Sequence, residues 1–420
     1  MGKLSRIAKK TILFTSVLSF SLLALTGCKD KAMTKTFNND QFGVNIHFTG
    51  NQPTDIELIK SAGLRVVRTD LTWSRIEREK GKYDFITTGY DELTNSLIKN
   101  NIRPYYILDY SNSLYEKDLS IVTNDGREAF NKYVDSVTKR YSGNSIVWEI
   151  WNEPNGFYWK PNPNVEAYSQ LVKGASKIIK RNDPSAQVVA PALTGLNSDS
   201  IVWLEEVFKR GAMEDVDAVS VHPYRGAPPE TVVNDYQLLR KMISKYTKKD
   251  MPIVSGEWGY STTHGWSGQD LNENKQAEYL VRMFLINEYK GIPISIWYDW
   301  KNDGQDPNNA EHNFGILWGD NNPKPAYQAL KTLTHTLNGY HFNKRLEFGQ
   351  PKDYIFKFTN TAGQKVLAFW TIEANHYLTI SLPSSKGELV SMLGETQTVK
   401  WNTNQVTLSL SSSPNYLIIE

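Results

Sequence analysis

Residues 145–155 read SIVWEIWNEPN, in which a short apolar run, Ile146–Asn152, leads directly into a polar segment that contains a proline. A run of this length, rich in Ile and Trp and bounded by polar residues, predicts a buried β-strand. Longer amphipathic segments flank the run on both sides, and their spacing is typical of α-helices. The stretch is therefore predicted to be one strand of a repeated β-α pattern.

Seven similar apolar runs occur elsewhere in the chain, three before this stretch and four after it, and amphipathic segments separate them. The eight strand candidates are Phe42–Phe48, Leu64–Asp70, Arg103–Asp109, Ile146–Asn152, Gln187–Pro191, Ala218–Val221, Pro252–Gly256 and Ile294–Trp297. Pro53 and Thr54 mark the start of the first helix, and Gly63 marks its end. Eight parallel units without a reversal of winding predict an α/β fold, a closed (β/α)₈ TIM barrel.

The pattern changes after Gly339, where apolar residues recur with a period of two. These runs are Tyr354–Phe358, Val366–Trp370, Tyr377–Leu382 and Val406–Leu410. They predict a barrel domain over residues 40–338 followed by a small antiparallel β-sandwich domain over residues 339–420. The second domain carries few candidate catalytic groups, so we expect a packing or accessory role. Carbohydrate binding through Trp370 and Trp401 is the alternative.

The N-terminus has the pattern of an export signal. Four basic residues precede the apolar stretch Thr11–Leu25, which has the length and flanks of a signal peptide. The stretch ends in Leu-Thr-Gly-Cys, which resembles a bacterial lipobox whose cysteine, here Cys28, becomes lipid-modified. An ordinary signal peptide followed by an incidental thiol is the alternative. We predict a lipoprotein signal peptide over residues 1–27, a polar tether over 28–39, and a protein exported and lipid-anchored to the bacterial envelope, on its periplasmic or cell-surface side.

Charge and cysteine content limit the possible partners. Without residues 1–27 the chain has 43 basic and 45 acidic residues, a balance that gives no reason to expect nucleic acid binding. Cys28 is the only cysteine, so an intramolecular disulfide is excluded.

Two glutamates follow predicted strands in unusual surroundings. Glu153 ends the fourth unit, and Glu257 ends the seventh within the sequence VSGEWG at 254–259. The C-terminal ends of the strands form the functional face of a parallel barrel. Two carboxylates across a sugar-sized cleft cleave glycosidic bonds, since one protonates the leaving oxygen while the other attacks or activates water. Pairing of both glutamates with surface cations is the alternative, which their aromatic neighbours and shared barrel face disfavour.

With these residues, the segment 40–338 resembles glycoside hydrolase clan A, most closely families 39 and 5. The motif Asn152-Glu153-Pro154 matches the clan's strand-four signature, which implies that Glu153 is the acid/base and that Asn152 binds the substrate 2-hydroxyl. Glu257 matches the nucleophile. The resemblance implies a retaining hydrolase that acts on β-linked sugars by double displacement, with its two carboxyl groups about 5 to 5.5 Å apart.

The resemblance extends to four further positions. Arg68 matches the arginine that keeps the nucleophile ionised, and a permanent cation suits that role. His222 and Tyr224 match a site histidine and a tyrosine that contacts the nucleophile, and Trp297 matches the tryptophan that floors the cleavage subsite. The alternatives are that Arg68 pairs with Glu149 as a structural ion pair and that His222 and Trp297 are core residues.

Aromatic side chains near strand ends are candidates for contacting sugar rings, because sugars present flat C–H faces. The candidates are Trp73, Phe157, Tyr158, Trp159, Trp258, Tyr260, Trp266, Trp300 and Trp318. Trp73, Trp258 and Trp300 are predicted to support or contact the substrate. The long connections 155–163, 258–272 and 301–322 are predicted to form the cleft walls.

No metal or cofactor is predicted, because the seven histidines form no His-x-His or His-x-x-x-His pair. The expected partner is a polysaccharide or oligosaccharide, and the protein is expected to be a monomer. A transglycosylase, a β-xylosidase or an endoglucanase with the same site and a non-catalytic sugar-binding lipoprotein are the alternatives. Processing of an exopolysaccharide is the leading biological hypothesis.

Overall fold

A computed structural model describes residues 41–420, which form one compact unit. Eight parallel strands close into a barrel in chain order, and the first strand pairs with the eighth. The strands are β1 Phe42–Asn45, β2 Val66–Thr72, β3 Arg103–Asp109, β4 Val147–Ile150, β5 Gln187–Thr194, β6 Ala218–His222, β7 Ile253–Trp258 and β8 Ser295–Trp297. The predicted TIM barrel is confirmed, with strand bounds shifted by a few residues. The signal peptide, Cys28 and the tether predicted over residues 1–39 lie outside the described residues.

Helices connect the strands and surround the barrel. They are α1 Pro53–Ser61, α2 Trp73–Ile76, α3 Tyr90–Lys99, α4 Asn124–Arg140, α5 Val165–Asn182, α6 Ser198–Lys209, α7 Val232–Ile243, α8 Glu273–Tyr289 and α9 Pro325–Thr336. Local sequence explains several of their starts: the side chains of Thr123, Asn164, Asn197 and Asn272 accept hydrogen bonds from the first turns of α4, α5, α6 and α8. Within residues 41–420, no helix is both long and apolar enough to cross a membrane.

Strand alternation divides the apolar residues of the barrel between two cores. A small core inside the barrel comprises Val66, Tyr105, Val147, Val189, Ala218, Val254, Ile294 and Ile296. The residues that alternate with these point outward and join the large core between the sheet and the helices. This alternation decides which strand-end side chains reach the interior of the barrel mouth.

The C-terminal region is antiparallel, as predicted. Its strands are β9 Tyr340–Arg345, β10 Asp353–Asn360, β11 Lys365–Thr371, β12 His376–Ser381, β13 Ser385–Val390, β14 Thr396–Trp401, β15 Gln405–Leu410 and β16 Asn415–Ile419. Six of them form a sheet of order β14-β13-β16-β11-β10-β9, and β12 pairs with β15 in a second, two-stranded sheet. The sequence pattern missed β9, β13, β14 and β16, whose buried and exposed residues alternate less regularly.

The middle of the six-stranded sheet, at β10 and β11, is buried on both faces. On β10, Ile355 belongs to the core shared with the two-stranded sheet, whereas Phe356 belongs to the core shared with the barrel. Trp370 on β11 faces the barrel, where its Nε1 donates to Glu230 Oε1 at 2.7 Å. Trp401 is buried, and its Nε1 donates to the carbonyl of Pro383. Neither tryptophan offers a face to solvent, so the alternative of carbohydrate binding through them is wrong.

Candidate active site

The carboxyl groups of Glu153 and Glu257 lie close together at the C-terminal mouth of the barrel. One carboxylate oxygen of each lies within 4.8 Å of the other and of a ring nitrogen of His222. Both side chains are largely buried, with exposed fractions of 14% for Glu153 and 13% for Glu257. The structure therefore brings together two glutamates that are 104 positions apart in the sequence.

The backbone after β4 explains how two adjacent residues both enter the cleft. Trp151 and Glu153 adopt left-handed conformations, with φ of 69° and 48°. These conformations interrupt the strand's alternation, so Asn152 and Glu153 both line the cleft. Left-handed conformations of residues other than glycine carry strain and concentrate at functional sites.

Arg68 on β2 contacts Glu257 directly, and its guanidinium donates five side-chain hydrogen bonds. Its Nη1 donates to Glu257 Oε2 at 2.6 Å and to Asn45 Oδ1 at 3.1 Å. Its Nε donates to Glu149 Oε2 at 2.9 Å, and its Nη2 donates to Asn152 Oδ1 at 2.9 Å and contacts His222 Nε2 at 3.3 Å. Arg68 therefore makes the contacts that both interpretations of the sequence require, because its guanidinium bonds to the candidate nucleophile and to the buried Glu149 together.

The contacts of His222 specify its tautomer. A guanidinium can only donate hydrogen bonds, so the contact with Arg68 requires that His222 Nε2 accepts. The proton of the neutral ring therefore resides on Nδ1, which lies 2.9 Å from Glu153 Oε1 and donates to it. His222 is fully buried, and it links Arg68 to Glu153.

Tyr224 completes the contacts of Glu257. Its hydroxyl donates to Glu257 Oε1 at 2.9 Å. Burial, followed by the charge of Glu257, raises the pKa of Tyr224 well above its ordinary value. The hydroxyl therefore stays protonated, and with Arg68 it holds both oxygens of Glu257 in fixed positions.

The cleft around these groups has a volume of about 560 Å³. The strand-end prediction missed eight of its lining residues, which are Asn45, His47, Asp70, Tyr110, Thr194, Tyr298, Glu311 and Phe314. The sequence could have identified Asp70 as a cleft residue, because it lies two positions after Arg68 on β2 and therefore on the same strand face. Glu311 and Phe314 belong to the connection after β8, where no periodic pattern shows their position.

Four predicted tryptophans lie outside this cleft, because each is buried in packing. Trp297 follows the inward-facing Ile296, so alternation turns it outward, where its Nε1 contacts the carbonyl of Phe314 at 3.3 Å. The same alternation turns Trp258 outward next to Glu257. Trp73 and Trp300 are buried too, and their Nε1 atoms donate to Glu77 and Asp55. The subsite floor predicted at Trp297 is therefore wrong, and Trp73, Trp258 and Trp300 support the barrel from outside the cleft.

Other aromatic candidates do face the cleft or solvent. Tyr158 and Trp266 line the catalytic cleft, and Tyr158 stacks on Tyr110 with a centroid separation of 5.5 Å. Phe157 and Trp318 are exposed. Trp159 and Tyr260 are buried core residues.

Two groups of side chains in residues 41–420 have the spacing of metal ligands. In the first group, Glu153, His222 and Glu257, the Nδ1 of the histidine is already a hydrogen-bond donor. In the second group, His47 Nδ1 lies 2.8 Å from Asp303 Oδ2 and 3.7 Å from Asp299 Oδ2. Hydrogen bonding and ion pairing account for both arrangements.

Comparisons with known proteins agree with the barrel fold. The family model described as cellulase (glycosyl hydrolase family 5) matches residues 30–304. A β-xylosidase of Geobacillus stearothermophilus is 24% identical over 286 residues, which are 59% of this chain and 55% of that protein. A β-xylosidase of Caldicellulosiruptor saccharolyticus is 21% identical over 314 residues, or 65% of this chain and 61% of that protein. The chain thus spans less than two thirds of the length of these curated relatives.

A solved structure extends the similarity into the C-terminal region. It is a family 39 glycoside hydrolase from the gut symbiont Bacteroides cellulosilyticus WH2, with a TM-score of 0.79 and 25% sequence identity. The match covers 92% of this chain and 82% of that chain. Because the cellulase model matches well over half of the sequence, the chain belongs to the cellulase family, glycosyl hydrolase family 5, within the group of (β/α)₈ glycosidases.

Proposed function

We propose that this protein is a retaining glycoside hydrolase that cleaves β-glycosidic bonds of an oligosaccharide or polysaccharide by double displacement. The observation that carries the proposal is the separation of the two carboxylates, whose closest oxygens lie within 4.8 Å. Retaining enzymes hold their carboxyl groups about 5–5.5 Å apart, whereas inverting enzymes need roughly 6.5–9.5 Å to place a water between nucleophile and sugar.

The contacts of each glutamate support the role that we propose for it in the first step. Glu257 receives hydrogen bonds from Arg68 and Tyr224, which orient its carboxyl group for attack on the anomeric carbon. A covalent bond forms between that carbon and a Glu257 oxygen while the glycosidic bond breaks. Glu153 gives its proton to the departing oxygen, so the leaving sugar departs as an alcohol.

The second step reverses these roles. Glu153, now a carboxylate, takes a proton from water, and the water oxygen attacks the anomeric carbon as the bond to Glu257 breaks. His222 Nδ1 donates to Glu153 and holds its carboxyl group in position through both steps. Asn152 is held by Arg68 and Tyr110 beside the acid/base, where its amide can meet the sugar 2-hydroxyl.

The relatives indicate which substrates to test first. Two of them are β-xylosidases, so aryl β-xylosides and β-glucosides are the first substrates. Action on an exopolysaccharide is the biological role that we propose for an exported enzyme of this kind. A transglycosylase shares every catalytic residue and differs only in the acceptor, so product analysis with and without added sugar acceptors distinguishes the two activities.

Azide rescue of the two glutamate variants tests the mechanism. Glu257→Ala lacks the nucleophile, so azide should restore cleavage of an activated aryl glycoside only with inverted configuration. Glu153→Ala should still form the intermediate from the activated substrate, since a good leaving group needs little protonation. Azide should then accelerate its turnover and give a glycosyl azide of retained configuration, as determined by NMR.

Two outcomes would contradict this assignment. If both variants respond to azide in the same way, the two roles are not divided as proposed. If Glu153→Ala yields the inverted azide adduct, Glu153 is not the acid/base. A matched control is Glu230→Gln, which changes a buried glutamate outside the cleft and should leave the configuration of the product unchanged.

We also propose that the protein is a monomeric lipoprotein, exported and anchored to the bacterial envelope through Cys28. The support is the basic and apolar N-terminal pattern that ends in Leu-Thr-Gly-Cys. Cys28→Ser should block lipidation and move the protein from the membrane fraction to the soluble fraction, since stable anchoring requires more than one acyl chain. Recovery of the unaltered protein entirely in the soluble fraction would refute the anchor.

A further inference from the structure

Beyond the catalytic cleft, a second groove of about 840 Å³ lies between the connections that follow β7 and β8. Trp318 is the large aromatic residue in its lining, and 43% of its surface is exposed. Thr262, Gln305 and Asp320 also line the groove and offer polar groups for sugar hydroxyls. An exposed aromatic face combined with polar side chains is the composition that sugar-binding surfaces require.

The ring of Trp318 is held in place rather than loosely exposed. The Nζ of the buried Lys324 lies 4.5 Å from the ring centroid and covers one face. Lys324 is fixed in turn by a 2.9 Å hydrogen bond to Asn302 Oδ1. The Trp318 backbone N–H donates to the carbonyl of Asn322, so a tight turn fixes the main chain as well. The ring is therefore preorganised, which lowers the entropic cost of stacking a ligand on it.

Shared lining residues relate this groove to the catalytic cleft. A small connecting cavity of about 240 Å³ shares His47 with the cleft and shares Asn302 and Asp303 with the groove. A chain of sugar rings that extends from the cleft toward Trp318 would pass His47 and Asp303.

The barrel order defines the side of the cleft on which the groove lies. Strands β4 and β8 are four positions apart in a closed barrel of eight, so their connections lie on opposite sides of the mouth. Glu153 and Tyr158 follow β4, and Trp318 follows β8. Because Glu153 protonates the leaving group, the leaving sugar occupies the β4 side, and the β8 side receives the part of the chain that becomes attached to Glu257.

We infer that Trp318 is the stacking platform of a distal subsite on this glycone side, so that the enzyme binds a β-linked chain of several sugars across the cleft. This inference rests on the proposed glycosidase function and specifies its substrate as an extended chain. It predicts that binding strength increases with chain length and that Trp318 contributes to binding of long chains only.

Binding to the inactive Glu257→Ala protein tests the inference without requiring turnover. Calorimetric titrations would compare xylobiose with xylohexaose and cellobiose with cellohexaose. Adding Trp318→Ala should weaken binding of the preferred hexasaccharide roughly 5- to 20-fold, the loss expected for one stacked ring, and should leave disaccharide binding unchanged. Trp318→Phe should retain most of the affinity, because it keeps an aromatic face.

Tyr377→Ala is the matched control, because Tyr377 is a 78% exposed aromatic residue on β12, away from the groove. It should leave all four affinities unchanged. The inference is overturned if Glu257→Ala binds the hexasaccharides equally well with and without the Trp318→Ala substitution. It is also overturned if Glu257→Ala binds neither hexasaccharide. An equal loss for disaccharides and hexasaccharides also overturns it, since that result indicates damage to the cleft. The azide experiment is independent of Trp318, so failure of the subsite is distinguishable from failure of the mechanism.

Discussion

At the scale of single residues, the site depends on one arginine whose hydrogen-bonding capacity is fully used. A guanidinium has five N–H donors, and Arg68 has five acceptors within hydrogen-bond distance. Glu149 has no exposed surface, and beyond Arg68 it accepts a hydrogen bond from Tyr105 at 2.8 Å. Burial alone would lower the pKa of Arg68, but the charges of Glu149 and Glu257 raise it well above its ordinary value. The arginine therefore stabilises two carboxylates and orients three polar side chains.

Replacing Arg68 with lysine should damage both stability and catalysis. Lysine keeps the charge but has three donors, so at least two of the five contacts are lost. We expect a loss of about 2–4 kcal/mol in the free energy of unfolding and a decrease in kcat of roughly 100-fold or more. Urea denaturation and steady-state kinetics on an aryl glycoside measure the two effects.

Arg282→Lys provides the matched control, because Arg282 is equally buried and pairs with Glu230 away from the cleft. It should decrease stability while kcat stays near the wild-type value. If Arg68→Lys and Arg282→Lys have the same kcat, Arg68 acts through stability alone.

At the scale of elements, the neighbouring ends of β2 and β3 bring two aspartates together. Asp109 is fully buried, and neither of its carboxyl oxygens has a donor partner within residues 41–420. Burial, and then the neighbouring Asp70, raise the pKa of Asp109 well above its ordinary value. Asp109 is therefore protonated in the folded protein at pH values where it is ionised in the unfolded chain.

This protonation predicts a pH dependence of stability with a defined sign. Between about pH 4 and the raised folded pKa, the folded state holds a proton that the unfolded state has released. The free energy of unfolding therefore falls as pH rises, by up to about 1.4 kcal/mol per pH unit. Asp109→Asn removes this dependence, so the stability of the variant relative to wild type should increase from pH 4 to pH 8. Urea denaturation across that range measures the difference.

The exposed Asp250 supplies the control for this measurement. Asp250→Asn should follow the wild-type curve within about 0.5 kcal/mol at every pH, as expected for a surface substitution. If Asp109→Asn gives a curve parallel to that of wild type, Asp109 is ionised in the folded state and the interpretation fails.

At the scale of the whole molecule, helix α8 joins the barrel to the C-terminal sheet. Every residue from Gln276 to Glu288 is buried, and the helix packs against β8, α9 and strand β9 of the sheet. Arg282 on this helix holds Glu230 with two hydrogen bonds of 2.7 Å, and Glu230 accepts from Trp370 of the sheet. The C-terminal strands therefore complete the burial of a barrel helix.

Trp370→Ala should weaken the entire chain. The variant loses a fully buried indole that stacks on Tyr354 and leaves Glu230 with one partner fewer. We expect a loss of about 3–5 kcal/mol in the free energy of unfolding. Calorimetry should show a single transition at a lower Tm, because the barrel and the sheet share one core. Tyr377→Ala, on the exposed side, should leave Tm within about a degree of wild type. Separate transitions, with the barrel unchanged, would contradict this coupling.

Local patterns in the sequence were sufficient for the fold and for the candidate catalytic pair. Eight apolar runs separated by amphipathic segments predict the barrel, because the spacing of apolar residues within each strand and helix indicates which of its faces is buried. A parallel barrel also brings all strand ends to one face, so Glu153 and Glu257 were predictable as neighbours. Strand alternation also puts Asp70 on the same face as Arg68, although Asp70 was not among the predicted cleft residues.

Other features depend on contacts between distant segments, and only the tertiary structure decided them. Trp297 points outward because it follows the inward-facing Ile296 on β8. The irregular pairing of β7 with β8 makes this alternation difficult to assign from the sequence. His47 meets Asp303 because β1 closes the barrel against β8, and Trp370 is buried because the sheet packs on α8. Each of these outcomes depends on which surfaces cover one another, and a local sequence pattern contains no information about the covering surface.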